Sequence, residues 1–359
     1  MSTKISVEER IAARAVDALH AKSGLRLEMT DKNTVLGTGL WPDMCFAISG
    51  SELELVCEVK NGLSRNMLEP VVKLLKSAAE GRPPMIMTNY IDAKLGKALR
   101  DLGVNYVDAS GNAYINLSPY FVFIEGQLIA DGLTQIKPAK PFSATDLQVI
   151  YALLTKPELL NENYRTVAQC ANVAMGVCGS VLRELKDQGF FVETIASNAT
   201  GVSSVKQREW RARHQLIGRW VEQYSTLSKR TYLGEYSSPD LAWLESTEFV
   251  DFDAQIGGQA AVSRYANEVE MNVDGVSVYI NDQQQWQFIR QMGLSKEASE
   301  ASQHNSVKVY SKFWGDDHDA KSAGQPKMVH PLMAYAELIE QGGEAGRLAA
   351  NQIASRYFV

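Results

Sequence analysis

The sequence predicts a multidomain protein of mixed α/β and α+β class, and three observations carry that expectation. The 359 residues are 45% hydrophobic and 22% charged, enough to bury more than one core. From Ile5 to Tyr90, short apolar runs and amphipathic helical periods follow the order α-β-β-β-α-β. The stretch "QLIADGLTQIKPAKPFSATD" is rich in proline and glycine and has no apolar period, which sets a boundary near residues 132–141.

The first region, residues 1–131, opens with a helix. Ile5, Ala12, Ala13, Val16 and Leu19 recur at helical spacing, with Arg10, Arg14 and Asp17 on the other side. The strands "LRLEMT", "MCFAIS" and "LELVCEVK" follow, separated by the turn-forming "DKN", "GTG" and "GSE". The helix "NMLEPVVKLLKSAAEG" tolerates Pro70 in its first turns and ends at Gly81 and Pro83-Pro84. A buried strand "MIMTNY", a helix "IDAKLGKALRDLG", and strands around a Gly111-Asn112 turn in "VNYVDASGNAYINLS" and "YFVFIEG" complete the region.

The second region, residues 142–196, reads as three helices and a strand. "SATDLQVIYALLTK" has Ser143 or Thr145 as its cap, "YRTVAQCANV" follows, and "AMGVCGSVLRELKDQG" stops at Gly189. The strand "FFVETIAS" turns this unit into a winged helix-turn-helix with Ala168, Val173, Val177, Val181 and Leu185 in its core, the alternative being a three-helix interaction module. The third region, residues 205–359, is α+β. Strand-like "VEMNVDGVSVYIN" and "SVKVYSKFW" alternate with helical "RHQLIGRWVEQYSTL", "QQQWQFIRQMG" and "HPLMAYAELIEQGGEAGRLAANQIASRYF".

Composition narrows the function classes. A formal net charge of −6 argues against indiscriminate nucleic-acid binding, which rests on neutralising phosphates. The charge is uneven, however: Lys206, Arg208, Arg211, Arg213, Arg219, Lys229 and Arg230 face only Glu209 and Glu222. That stretch is a candidate polyanion surface or a solvated helix face. No apolar run approaches a membrane span and the first residues lack a signal-peptide pattern, so a cytoplasmic protein is expected. Cys45, Cys57, Cys170 and Cys178 form no CxxC pair and read as buried thiols.

Asp43 heads the second strand, and Glu58 and Lys60 close the third. Residues two apart on a strand share a face, so Glu58 and Lys60 point the same way while Val59 faces the core. Two carboxylates brought together there repel unless a positive group joins them. A hard divalent cation held by Asp43 and Glu58, with Lys60 beside an attacking water, would suit phosphodiester chemistry. The bland reading is a strand-end ion pair between Glu58 and Lys60, with Asp43 capping a turn after Pro42.

"PD" followed by "EVK" on the second and third strands resembles the PD-(D/E)XK nuclease fold, which implies a restriction-endonuclease-like N-terminal domain. Asp43, Glu58 and Lys60 would be its catalytic residues and Mg2+ its cofactor if the site is active. A second resemblance spans most of the chain. "CEVKNGL", "GVNYVDASGNAYINL", "FVFIEG", the segment beginning "FSATDLQVIYALLTK" and the tail "HPLMAYAELIEQGGEAGRLAANQIASRYF" look like the AbiEi-like antitoxin and transcriptional regulator family of type IV toxin-antitoxin systems. The resemblance implies a repressor of its own operon that binds double-stranded DNA, is encoded beside a nucleotidyltransferase-like toxin, and carries an antitoxin-like C-terminal α+β domain. The expectation is a non-catalytic regulator, with a magnesium-dependent DNA endonuclease as the alternative; a homodimer is compatible with both.

In the winged-helix reading the third helix enters the major groove by its N-terminal half. Met175 and Ser180 lie there with Gly176 and Gly179, whose small size allows close backbone approach. Arg165, Arg183 and Lys186, then Lys206, Arg208, Arg211 and Arg213, are the expected DNA contacts, mainly to phosphates. Asp108 and Asn112 around Gly111 suit a structural turn. Trp210, Trp220, Trp243, Trp286 and Trp314 suit a core or a protein interface. The acidic "GDDHDA" reads as an exposed turn, and "IGGQAA" is too short for a phosphate-binding glycine motif.

Overall fold

The computed structural model describes residues 7–32, 42–129, 140–197, 204–246, 249, 252–266, 275–296, 305–315 and 327–358. The expected linker at 132–139, the "GTG" turn, Ile5 and most of "GDDHDA" lie outside the described residues. The chain divides into two compact units: the first comprises the residues up to Pro141 together with Ala354–Tyr357, and the second runs from Phe142 to Ile353 and includes Phe358.

The first unit has the expected order: α1 (Val7–Ser23), β1 (Leu27–Lys32), β2 (Met44–Ile48), β3 (Glu54–Lys60), α2 (Arg65–Ala79), β4 (Pro84–Thr88), α3 (Ala93–Asp101), β5 (Asn105–Asp108), β6 (Ala113–Leu117) and β7 (Tyr120–Ile124). The seven strands form one sheet in sequence order. Neighbours are antiparallel except β3, β4 and β5, which run parallel. Parallel pairing needs a crossover between strands, and α2 and α3 supply it.

The strand pleat sorts side chains onto two faces. Met44, Phe46, Cys57, Val59, Met85 and Val107 pack on the face covered by α1. Cys45, Val56, Ile86 and Tyr106 pack on the face covered by α2 and α3. The α1 stripe is Ile11, Ala12, Ala15 and Leu19. Ala13, expected on that stripe, is exposed, one position off the buried face.

The second unit begins with α4 (Ala144–Thr155), a 3-10 turn (Pro157–Asn161), α5 (Tyr164–Ala171), α6 (Met175–Asp187) and a hairpin of β8 (Phe191–Ser197) and β9 (Ser204–Trp210). Ser143 caps α4 in a reciprocal capping box with Asp146. Asn172, in the left-handed conformation, ends α5, so Val173 falls in the turn before α6. Ala168, Val181 and Leu185 are buried as expected, whereas Val173 and Val177 are half-buried.

The remaining elements are α7 (Arg213–Thr231), β10 (Tyr232–Ser237), β11 (Gln255–Gly257), α8 (Gly258–Tyr265), β12 (Gly275–Ile280), α9 (Gln285–Gln291), β13 (Ser306–Ser311), β14 (Lys327–Met328), α10 (Pro331–Gln341) and α11 (Glu344–Tyr357). The five strands form a mixed sheet in the order β10-β13-β12-β11-β14. The tail expected as one helical stretch is broken between α10 and α11, where Gly342 and Gly343 take positive φ of 76° and 87°.

Trp220 is fully buried in α7, donates from Nε1 to the Leu147 carbonyl at 2.9 Å and lies 5.4 Å from the Tyr151 ring. Tyr151 also meets Phe313 and Trp314, which ties α4 to the segment after β13. Trp286, expected in a core or interface, is 74% exposed. Cys45, Cys57 and Cys178 are buried free thiols, and Cys170 is half-buried.

Candidate functional site

Asp43, Glu58 and Lys60 come together at the end of the sheet face covered by α2 and α3. Met44 pairs with Cys57 in the β2–β3 register, which sets Asp43 beside Glu58. The Val59 N–H donates to Asp43 Oδ2 at 2.8 Å, pinning that carboxylate against β3. Lys60 Nζ donates to Glu58 Oε1 at 2.6 Å, with the two side chains only 14% and 13% exposed. Burial first, and then the Asp43 carboxylate, push the Glu58 carboxyl up to about 7 against the pull of Lys60.

The parallel register extends this cluster across the sheet, because Lys60 pairs with Thr88 and Thr88 with Asp108. Thr88 Oγ1 and Asn89 Oδ1 are buried without a hydrogen-bond partner among the described residues, and Asn89 Nδ2 donates to Asn61 Oδ1 at 2.6 Å. Asp108 serves the turn. Its carboxylate accepts from the N–H groups of Ile91, Ser110 and Asn112 and from Asn112 Nδ2, at 2.7–2.9 Å. Burial nevertheless raises its pKa above the ordinary carboxylate value. Among the described residues no group of three or more His, Cys, Asp and Glu side chains is gathered as a metal site, so the acidic contribution here is a carboxylate pair.

On α6 the exposed stripe is Gly176, Ser180, Arg183 and Asp187, opposite the buried Cys178, Val181, Leu182 and Leu185. Met175 is 55% exposed at the helix start, and Arg165 is exposed at the start of α5. Both line a cavity of about 1130 Å³ shared with Asp253, Asp282, Lys312 and Trp314. The Gly315 N–H donates to the Cys170 carbonyl at 2.9 Å, joining the end of α5 to the segment after β13. Lys186 Nζ lies 3.2 Å from Glu193 Oε1 and braces α6 against β8.

The basic stretch divides. Lys206 pairs with Ile195 within the hairpin, and its side chain lies outside the described residues. The hairpin therefore spans the boundary expected between residues 196 and 205, with β9 as its second strand. Arg208, its side chain 11% exposed, donates to Glu193 and to the Leu160 carbonyl and stands over the Tyr164 ring. Arg213 donates to the Leu154 carbonyl at 2.8 Å, and burial lowers its pKa. Arg219 stacks on Phe142 and Phe190, and Arg230 donates to Thr145. Arg211 alone among Arg208, Arg211 and Arg213 is exposed, paired with Glu209 at 3.2 Å. The other two are engaged inside the unit, because their neighbours in space offer carbonyl and carboxylate acceptors that no local pattern announces.

Residues 210–359 match a family model described as the transcriptional regulator AbiEi antitoxin of type IV toxin-antitoxin systems. No curated protein and no solved structure matches the chain. The AbiEi match begins at Trp210, the last residue of β9, and takes in α7 and the whole five-stranded sheet. The carboxylate pair on β2 and β3 and the exposed stripe of α6 lie before it. No helix among the described residues is long and apolar enough to cross a membrane.

Sequence reasoning missed Thr88 and Asn89 beside Lys60, and a second acidic cavity around Glu337. The signal for the latter is an acid set inside the apolar run "LMAYAELI", where an unpartnered charge is costly to bury.

Proposed function

We propose that the protein is a sequence-specific DNA-binding regulator of the AbiEi antitoxin type, in which α4 to α6 and the β8–β9 hairpin act as a winged helix-turn-helix. The carrying observation is the exposed α6 stripe opposite a packed core, flanked by a hairpin. Such a helix presents its N-terminal half to the major groove, and the glycines at 176 and 179 allow close approach to the duplex. Ser180 would reach base edges, with Arg165, Arg183, Lys186, Lys206 and Arg211 as phosphate contacts and Met175 as an apolar one. Arg208 and Arg213 would act by holding the hairpin and α7 in place. The AbiEi match supports repression of the protein's own operon and opposition to a nucleotidyltransferase-like toxin encoded beside it.

Gel shifts across a salt series test this reading with a duplex carrying the inverted repeat upstream of the protein's own gene. Ser180→Ala with Arg183→Ala is expected to weaken binding, and each lost phosphate contact to flatten the salt dependence by about 0.9 log unit per log salt. Unchanged affinity would move the DNA surface elsewhere.

A second reading, a magnesium-dependent DNA endonuclease, is favoured by the meeting of Asp43, Glu58 and Lys60. Asp43 and Glu58 would be the holders of a hard divalent cation, with the buried Thr88 hydroxyl, unpartnered among the described residues, across from Lys60 on the neighbouring strand. Magnesium there would supply charge neutralisation at a phosphate. Lys60 would orient a water and balance the carboxylates, and the Val59 N–H would fix Asp43 in place. Purified protein with magnesium or manganese is expected to leave duplex DNA intact. Robust nicking abolished by Glu58→Gln would reverse the order of the two readings.

A further inference from the structure

The second unit contains a cavity of about 560 Å³ over the five-stranded sheet, remote in sequence from the α6 stripe. Its volume suits a small molecule or one large side chain. One wall is aromatic: Tyr310 stacks on Tyr279 with centroids 5.1 Å apart and planes 18° apart, and Tyr232 meets Tyr310 edge-on at 5.6 Å. The same cavity is lined by the acids Glu235, Glu337 and Glu340.

These acids are held from behind. Glu337 accepts from the Gly258 N–H at 2.7 Å and from the Tyr279 hydroxyl at 2.9 Å, and Tyr279 in turn is 2.9 Å from Tyr224. Ser306 donates to Glu235 at 2.6 Å, and Ser228 to Glu340 at 3.2 Å. Glycines keep the space clear: a Cβ at Gly257 would fall 2.7 Å from Glu337, and one at Gly275 3.2 Å from the Ser306 carbonyl. Lys229 and Lys308 also line the cavity, but both are exposed on flexible stems.

We propose that this cavity binds a planar organic cation, a guanidinium group, between the Tyr310 and Tyr232 wall and the carboxylates of Glu235, Glu337 and Glu340. A guanidinium stacks on an aromatic face and directs in-plane N–H donors at carboxylates, which the tyrosines and the acids supply together. An anion would meet three acids there, and an apolar ligand would strand their hydrogen-bonding capacity. The field inside agrees in sign: after burial, Glu337, Glu340 and Glu235 hold the Tyr310 hydroxyl well above its ordinary range. The cation could be free in solution or carried by an arginine of another protein. The site is independent of the DNA reading, since nothing in it involves α6.

Calorimetric titration of the full chain, without DNA, tests the proposal with three probes: agmatine, the tripeptide Gly-Arg-Gly, and citrulline amide, in which an uncharged ureido group replaces the guanidinium. The guanidinium probes are expected to bind and citrulline amide not to. Glu340→Gln, at an exposed position that leaves the fold intact, should weaken binding about tenfold, as should Glu235→Gln, because each removes a charge-assisted partner. Lys308→Gln should strengthen it. A tripeptide about tenfold tighter than agmatine would assign the cation to a protein chain, and equal affinities to a small molecule. Absence of guanidinium binding, equal binding of citrulline amide, or affinity unchanged in the Glu235→Gln, Glu340→Gln double variant would overturn the site.

Discussion

Glu58 is a carboxyl whose environment favours its protonated form, and that has a measurable consequence for stability. Its pKa is raised from 4.5 to about 7 by burial and by Asp43. Between those values the folded chain holds a proton that the unfolded chain has released. Its contribution to stability is therefore present at low pH and lost as pH rises from about 4.5 through 7, to a limit of about 3 kcal/mol. Glu58→Gln removes the titration while keeping an acceptor for Lys60. Urea unfolding is expected to show the variant and parent alike at pH 5 and the variant more stable at pH 8. An equal difference at both pH values would mean that Glu58 does not titrate in this range. Asp108 represents the opposite use of a buried acid, with four donors converging on it from the β4–α3 connection and the β5–β6 turn. Asp108→Ala should destabilise the first unit by about 3 kcal/mol or more, since it leaves buried N–H groups unpaired, and loss of cooperative thermal unfolding would report it.

At the scale of elements, the hairpin and α6 are held together by Arg208, Glu193 and Lys186, so charge on this surface is partly structural. Arg208 and Arg211 separate the structural role from the proposed DNA-binding role. Arg208→Ala loses bonds to Glu193 and to the Leu160 carbonyl, and should cost about 2 kcal/mol of stability. Arg211→Ala, at an exposed pair with Glu209, should leave the Tm nearly unchanged and lower the DNA salt slope by about 0.9. Thermal melts and gel shifts on both variants check this. An Arg211→Ala variant with an unaltered salt slope would take the hairpin off the DNA. The α5–α6 turn has a further restraint: a Cβ at Gly315 would overlap the Gln169 carbonyl at the end of α5. Gly315→Ala is therefore expected to loosen α5 and weaken DNA binding without touching the α6 stripe.

For the whole molecule, the packing of residues 142 to 353 as one unit predicts which fragments fold. A fragment of residues 142–196 lacks β9 and the Trp220 side chain buried against α4, so it should show no cooperative unfolding; residues 142–359 should show one transition by circular dichroism. A folded 142–196 fragment would contradict the single-unit packing. Much of this architecture was legible beforehand, because it depends on local periodicity. The α-β-β-β-α-β order, the shared face of Glu58 and Lys60, the three helices after Pro141 and the turn at Gly111-Asn112 all follow from spacings of two or 3.6 residues and from backbone preferences near glycine. Tertiary structure decided what those spacings cannot encode. Asp43 reaches β3 only through the β2–β3 register, Arg208 and Arg213 turn inward only because Glu193 and the Leu154 carbonyl wait there, and the Glu337 cavity joins β10, β13 and α10 across a long interval of chain. A side chain's period sets the face it takes, whereas its partner is set by whichever distant segment that face is folded against.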